Sequence, residues 1–114
     1  MVLEQLTLGK EYTVYVLTEW KGEIWYYIDD DAGRYYPSTY PAPLFEVSDS
    51  RLSSYWRIEV EQTQTRTGIQ TTVLVLAFDE WFADPYFFDK LTDQTDTEVE
   101  MFRQIKARME EETR

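Results

Sequence analysis

Residues 69–78, Ile-Gln-Thr-Thr-Val-Leu-Val-Leu-Ala-Phe, carry apolar side chains on both faces of an alternating pattern. The alternation from Thr71 to Leu76 has the period of two that is typical of a β-strand. A strand with two apolar faces is covered on both sides, so we expect it in the middle of a sheet or beneath a helix rather than at an exposed edge.

A second strand is predicted just before it, at residues 55–61, and the polar residues 62–68, which end in Thr67-Gly68, predict a hairpin between the two. Alternate side chains of the earlier strand divide into an apolar set, predicted to face the core, and a charged set, predicted to face water. The apolar set is Trp56, Ile58 and Val60, and the charged set is Arg57, Glu59 and Glu61.

The N-terminal half predicts another hairpin. Apolar and aromatic residues alternate from Tyr12 to Leu17, Trp20-Lys21-Gly22 supplies a turn, and residues 23–28 form the returning strand. Residues 29–33, Asp-Asp-Asp-Ala-Gly, predict a second turn.

Three prolines interrupt regular pairing in the next segment, which we expect to be an edge strand or irregular. They are Pro37, Pro41 and Pro43. A short strand is predicted at residues 44–47, followed by a turn at residues 48–50.

A helix is predicted in the C-terminal part of the chain. Residues 95–98, Thr-Asp-Thr-Glu, match the capping box with which helices begin. After it Val99, Phe102, Ile105 and Met109 recur at spacings of three, three and four residues, which places them on one helix face. We expect that face to pack on the sheet.

These elements predict an α+β fold, mainly antiparallel β: a small SH3-like barrel or a bent sheet of five or six strands with a C-terminal helix. Residues 1–114 are expected to form a single domain. Residues 11–78 are its strand-rich part, and residues 79–114 hold an aromatic connection and the amphipathic helix. Pro85 interrupts the aromatic connection, which either fills the core or forms an interface.

The chain has 22 acidic and 11 basic side chains, a formal charge of −11, and neither histidine nor cysteine. A catalytic imidazole or thiol, a disulfide and a His- or Cys-ligated metal site are therefore excluded. The negative charge disfavours direct binding to nucleic acid, whose phosphates require clustered lysine and arginine. We expect neither a signal peptide nor a membrane span, which needs roughly 20 apolar residues. The protein is therefore expected to be cytoplasmic.

The consecutive Asp29, Asp30 and Asp31 offer oxygen ligands that suit a hard cation. Their spacing does not match a calcium-binding EF-hand loop, whose acidic ligands alternate, so a turn is the expected role. An exposed turn is also a poor place to separate the pKa values of two carboxyls for acid–base catalysis. We expect no metal, no cofactor and no catalytic residue, and an enzymatic or metal-binding role stays as an alternative.

Aromatic residues are abundant, with four tryptophans, nine tyrosines and six phenylalanines. We expect Trp25, Tyr27 and Trp56 to be structural. Rings outside a core suit interfaces, and neighbouring carboxylates attract arginine or lysine, so a basic partner protein is expected. The predicted partner-binding residues are Trp20, Tyr35, Tyr36, Tyr40, Asp29, Asp30, Asp31, Glu19 and Glu23.

Several motifs carry a resemblance to known sequences: Gly9-Lys10-Glu11-Tyr12; residues 35–47, Tyr-Tyr-Pro-Ser-Thr-Tyr-Pro-Ala-Pro-Leu-Phe-Glu-Val; and then Asp49, Arg51-Leu52-Ser53 and Tyr55-Trp56. In these motifs the chain resembles a small family of uncharacterised bacterial proteins, over most of its length. Small acidic chains of this style are also similar to immunity proteins that neutralise partner toxins, a loose likeness without a diagnostic motif. This likeness implies an inhibitory function.

We therefore predict a non-catalytic acidic protein-binding domain, such as an immunity or antitoxin-like inhibitor, that occupies a basic site on its partner. A second possibility is an SH3-like module that binds proline- or arginine-rich peptides on Trp20, Tyr35 and Tyr36. A third is a carboxylate-dependent metal-binding protein or enzyme centred on residues 29–31. The oligomeric state is left open.

Overall fold

The computed structural model describes residues 5–64 and 66–113, apart from the side chain of residue 63. The described residues form five strands, β1 (Val14–Trp20), β2 (Glu23–Ile28), β3 (Ser38–Pro41), β4 (Trp56–Gln64) and β5 (Gln70–Phe78). In the same described residues, β5 is followed by three α-helices, α1 (Asp79–Ala83), α2 (Phe87–Thr92) and α3 (Asp96–Glu112). A short 3-10 helix, Ala42–Leu44, comes directly after β3.

The strands form one antiparallel sheet in the order β3-β2-β1-β5-β4. The prediction that residues 69–78 do not form an exposed edge is confirmed, because β5 pairs with β1 on one side and with β4 on the other. Within the described residues the sheet ends at β3 and β4 and is open. The predicted α+β fold is therefore confirmed in its bent-sheet form, and the closed barrel is not observed.

Helix α3 packs on one side of the sheet and forms the main core with it. Phe102, Ile105 and Met109 are buried there, as the apolar stripe predicted, and Val99 packs against the same cluster. The ring of Tyr15 in β1 meets the Phe102 ring edge-on, with 5.4 Å between centroids. We call this side of the sheet the helix face and the other side the open face.

The aromatic connection between β5 and α3 consists of α1 and α2, which are separated at Pro85 as predicted. Phe87 and Leu91 of α2 are buried in the core. The ring of Trp81 in α1 meets the rings of Phe78 and Phe87, at centroid distances of 6.0 and 6.4 Å. Of the two predicted roles, the connection therefore fills the core.

Strands β1 and β2 are joined by Lys21 and Gly22, whose φ angles are both positive, 52° and 80°. Two positive φ angles in a two-residue hairpin give a turn whose twist matches that of the strands, and glycine adopts such an angle without a steric penalty. Trp20 was predicted to belong to the turn. It is instead the last residue of β1, where it lies opposite Glu23.

A β-bulge at Tyr15 shifts the register between β1 and β2. Val14 lies opposite Ile28 and Val16 lies opposite Tyr27, so Tyr15 falls between two positions of the ladder. The Tyr15 carbonyl accepts a hydrogen bond from the indole N–H of Trp56 at 2.8 Å. Trp56 thus has a structural role, as expected.

The predicted orientation of β4 is wrong for two of its three apolar residues. Ile58 and Val60, predicted to face the core, are 63% and 60% exposed. The register places Ile58 opposite Leu76, and places Glu59 opposite Val75, which belongs to the core beneath the helices. Ile58 and Val60 therefore lie on the open face, because alternation separates the two faces of a strand without showing which one the helices cover. Trp56 packs against the core, as predicted.

Two other local predictions are wrong. Residues 44–47 form no strand; the 3-10 helix ends at Leu44, and Phe45 to Val47 are irregular. Thr95 is the N-cap of α3, as predicted, but its side chain makes no capping hydrogen bond within the described residues. The first turn is instead closed by the backbone bond from Val99 N–H to the Thr95 carbonyl at 3.0 Å.

The loop after β3 covers part of the open face. The ring of Phe45 meets those of Tyr12, Tyr26 and Tyr40, at centroid distances of 6.4, 5.9 and 6.3 Å. Because this cluster lies over β2 and β3, the open face is covered at that end and exposed along β4.

Candidate partner-binding groove

Asp30 and Tyr40, both predicted to bind a partner, lie in the interior of the protein, where Tyr40 is 5% and Asp30 7% exposed. The Tyr40 hydroxyl donates a hydrogen bond to Asp30 at 2.7 Å. The Asp30 carboxylate also accepts bonds from the Arg34 guanidinium at 3.0 Å and from the Ala32 backbone N–H at 3.1 Å. Burial and the bond to Asp30 raise the pKa of Tyr40 to about 12. This pair stabilises the turn after β2 and is not exposed to a partner.

Asp29 and Asp31 form ion pairs within the chain. Asp29 pairs with Lys106 of α3, which ties the turn to the helix. Asp31 pairs with the Lys10 ammonium at 2.6 Å and accepts a hydrogen bond from the Thr7 hydroxyl at 2.6 Å. These bonds lower the pKa of Asp31. The three consecutive aspartates therefore bind three different parts of the protein.

Tyr35 and Tyr36, predicted to share a surface, have different environments. Tyr35 is 61% exposed. Tyr36 is half-buried, packs against the core, and meets the ring of Phe88 edge-on at 6.4 Å. Tyr36 therefore contributes to folding, and Tyr35 is the exposed member of the pair.

The remaining predicted residues lie at the opposite end of β2 from the aspartates. Glu19, Trp20 and Glu23 flank the β1–β2 turn, where Glu19 accepts a hydrogen bond from the turn glycine N–H at 2.8 Å. Asp29 follows the far end of the six-residue strand β2, about 20 Å from Glu23 at the usual rise per residue. The structure does not unite the two groups in one contact surface.

Near the β1–β2 turn, the helix face forms an open groove of about 380 Å³, which we call the aromatic groove. Val73 and Val75 of β5 line its middle, and Glu61 of β4 lines one side. Four aromatic side chains line the rest: Trp20, Trp25, Tyr27 and Trp81. Trp20 is the one predicted binding residue in this lining.

Glu61 places a negative charge beside these rings. Across residues 5–64 and 66–113, no lysine or arginine nitrogen lies within 4.0 Å of its carboxylate. The neighbouring cation, Arg57, pairs instead with Glu59 at 2.7 Å and with Asp79 at 3.3 Å. Burial, and to a lesser degree the charge of Glu61, raise the pKa of Tyr27. The groove thus combines aromatic faces with a carboxylate that has no internal counter-ion.

The rim of the groove already holds one cation against an aromatic ring. The Lys21 ammonium lies 4.6 Å from the centroid of the Trp20 ring, which is 43% exposed. Such a contact contributes about 0.5–1 kcal/mol at an exposed site and more where water is excluded. The Trp20 ring is therefore oriented to accept a positive charge.

Trp25 contributes an unused hydrogen-bond donor. Among the described residues, its indole N–H is the one buried side-chain polar atom without a hydrogen-bond partner. A buried donor that lacks an acceptor costs about 1–3 kcal/mol, so native structures seldom keep one without a reason. The N–H itself has no exposed surface, so a ligand that carries a carbonyl or another acceptor into the aromatic groove would satisfy it after the Trp25 ring has turned toward the groove.

A second hollow, of about 300 Å³, lies between α3 and the adjoining ends of β4 and β5. Its charged side chains pair with each other: Arg57 with Asp79 at 3.3 Å, and Arg108 with Glu80 at 4.0 Å. Because these charges balance, the second hollow attracts a charged ligand less than the aromatic groove does.

Sequence reasoning missed most of the aromatic groove. Trp25 and Tyr27 were expected to be structural, and Glu61 was expected only to face water, as its exposed side chain does. One signal could have found part of it. A two-residue turn at Lys21 and Gly22 pairs Trp20 with Glu23 and Thr18 with Trp25, which places Trp20 and Trp25 on the same face of the sheet.

No helix in the described part of the chain is long and apolar enough to cross a membrane. No cluster of three or more acidic side chains in it could hold a metal ion.

Comparisons of the chain with protein-family models, curated proteins and solved structures gave no match. The proposals below therefore depend on the geometry and charge of the aromatic groove.

Proposed function

We propose that the protein is a non-catalytic binding domain that takes up a basic segment of a partner protein in the aromatic groove. The observation that carries this proposal is the presence of the Glu61 carboxylate beside four aromatic side chains. A cation over a tryptophan or tyrosine face is attracted by the ring, and the carboxylate supplies the opposite charge. Arginine fits best, because its planar guanidinium both stacks on rings and pairs with carboxylates.

The charge of the whole chain supports a basic partner. A net charge of −11 attracts a positively charged protein over a long range and speeds their encounter. The same charge repels nucleic acid. The groove then decides where on the surface the basic segment binds.

An inhibitor of the immunity or antitoxin type fits this description, because it acts by covering a basic site on its partner. We include that role, and a cytoplasmic location, in the proposal. Recognition of a proline-rich peptide has less support, since of Trp20, Tyr35 and Tyr36 it is Trp20 that lines the groove. A role centred on residues 29–31 has less support too, since those carboxylates bind the chain itself.

The proposal is tested by titrating the protein with a hexa-arginine peptide at about 0.15 M salt, following tryptophan fluorescence. Glu61→Gln removes one charge inside the groove, and Glu46→Gln removes one from the exposed loop after β3. We expect Glu61→Gln to weaken binding about fivefold, the equivalent of about 1 kcal/mol, and Glu46→Gln less than twofold.

Equal effects of the two substitutions would mean that the peptide responds only to net charge, and would contradict binding in the groove. Urea unfolding of both variants shows whether a loss of binding reflects a loss of folded protein.

A further inference from the structure

Strand β4 forms a long exposed edge of the sheet. It has nine residues, and in the described part of the chain it pairs with β5 alone. The other edge, β3, has four residues and ends at Pro41, which has no backbone N–H to donate. A long edge strand with free backbone groups is a template on which another extended chain can pair.

The two faces of β4 differ in chemistry at this edge. Glu59 and Glu61 lie on the helix face, opposite Val75 and Val73. Ile58 and Val60 lie on the open face and are well exposed. Arg57 shares the helix face and pairs with Glu59 at 2.7 Å. An extended segment beside β4 would therefore meet this ion pair and the unpaired Glu61 carboxylate on one side and aliphatic side chains on the other.

We infer that the basic segment binds as an added strand along β4, with basic residues beside Glu59 and Glu61 and apolar residues beside Ile58 and Val60. This inference rests on the proposed function and adds the conformation and the sequence pattern of the ligand. Side chains directly opposite each other on paired strands have Cβ atoms about 4.5–5.5 Å apart, close enough for both kinds of contact. Backbone hydrogen bonds supply affinity, and the alternating side chains supply specificity.

The position of the aromatic groove agrees with this mode of binding. The register aligns Glu61, Val73 and Trp20 in one row across β4, β5 and β1. A strand added beside β4 lies three strand spacings from β1, about 14 Å. An arginine of the added strand that lies opposite Glu61 extends toward β1, and the Trp20 indole extends from β1 toward it. Together the two side chains span this distance.

A second copy of this chain is a poorer occupant of the edge. Two chains of −11 repel each other, and pairing β4 with itself brings together two strands that each carry Glu59 and Glu61. Glu59 is already paired with Arg57, but Glu61 has no counter-ion among the described residues. A basic segment of another protein supplies one, so charge complementarity at Glu61 favours it.

The test uses synthetic peptides of three designs, all with the same composition of side chains, and the third design gives two peptides. The first peptide alternates arginine and valine over six residues, and the second has three arginines followed by three valines. The third is the alternating peptide with N-methyl groups on every second amide, made in both phases. We expect the alternating peptide to bind about tenfold more tightly than the block peptide, and N-methylation to abolish binding in one phase only.

Matched substitutions locate the contact. Val60→Thr should weaken the alternating peptide several-fold, whereas Ile24→Thr, also exposed but on β2, should leave its affinity unchanged. If the block peptide and both N-methylated peptides bind as well as the alternating one, and Glu61→Gln still weakens them, strand addition is wrong and the proposed function stands. If no peptide depends on Glu61, the proposed function fails as well. A dimer in light scattering that Val60→Thr dissociates would assign the edge to a second copy and overturn the inference.

Discussion

Replacing each of two tryptophans by phenylalanine should have unequal effects on stability. Trp25 and Trp56 are both partly buried, and each loses the indole N–H and the same ring area in this substitution. They differ in their hydrogen bonds. The Trp56 N–H donates to the Tyr15 carbonyl at 2.8 Å, whereas the Trp25 N–H has no partner among the described residues.

The magnitudes follow from that difference. Trp56→Phe removes a hydrogen bond and leaves the carbonyl of a residue that is 2% exposed without its donor, which costs about 1–3 kcal/mol beyond the lost ring contacts. Trp25→Phe removes a buried donor that was already unpaired, and the energy recovered offsets the lost ring contacts. We expect Trp25→Phe to stay within about 1 kcal/mol of the wild type and Trp56→Phe to be less stable by roughly 2–3 kcal/mol.

Urea unfolding measures both variants, provided that the dependence on denaturant concentration is unchanged. The corresponding difference in melting temperature is roughly 8 °C, at about 4 °C per kcal/mol for a chain of this size. Equal losses of unfolding free energy in the two variants would show that the Trp25 N–H already has a hydrogen-bond acceptor in the free protein. It would then not need an acceptor from a ligand.

Other substitutions test the packing and the charges. Phe102→Ala should cost about 3–5 kcal/mol in urea unfolding, since the ring is fully buried beneath α3; a loss below 1 kcal/mol would contradict its place in the core. Tyr36→Ala should destabilise by about 1–3 kcal/mol because its ring packs on the core, and an unchanged stability would make it a surface residue. Ile58→Thr should change stability by less than about 0.5 kcal/mol, whereas a core position would lose several times more. Burial opposes the charge of Glu112, but hydrogen bonds from serine hydroxyls in the loop before β4 outweigh it and lower its pKa below the usual 4.5. The stability that its charge contributes is therefore present above that pH and lost as pH falls, so Glu112→Gln should destabilise at pH 7 and not at about pH 3; an equal effect at both would contradict this.

The elements of the fold could be predicted from the sequence because they depend on local periodicity. The apolar side chains of residues 69–78 predict a strand away from the edge of the sheet, and β5 is paired on both sides. The spacing of Phe102, Ile105 and Met109 likewise fixed which face of α3 meets the sheet.

The orientation of β4 could not be predicted in this way. Its apolar and charged residues alternate, but the helices cover one face of the sheet and stop short of its edge. Which face they cover depends on contacts between distant parts of the chain. Ile58 and Val60 are therefore apolar and exposed, while Glu61 lies on the helix face beside the aromatic groove.

The candidate site could not be predicted from the sequence, because it too depends on contacts between distant parts of the chain. Consecutive aspartates suggested an acidic surface, but each carboxylate meets a different partner, one of them Lys106 far along the sequence. The aromatic groove brings together residues of all five strands and of α1, and their proximity follows from strand order.

The most direct measurement follows the indole N–H resonances of the ¹⁵N-labelled protein while the alternating arginine–valine peptide is added. Trp25→Phe and Trp56→Phe assign two of the four tryptophans. We predict that the Trp25 resonance shifts and exchanges more slowly with solvent as its N–H gains an acceptor, while that of Trp56, already bonded to Tyr15, stays in place. A peptide that binds without moving the Trp25 resonance would contradict recognition in the aromatic groove.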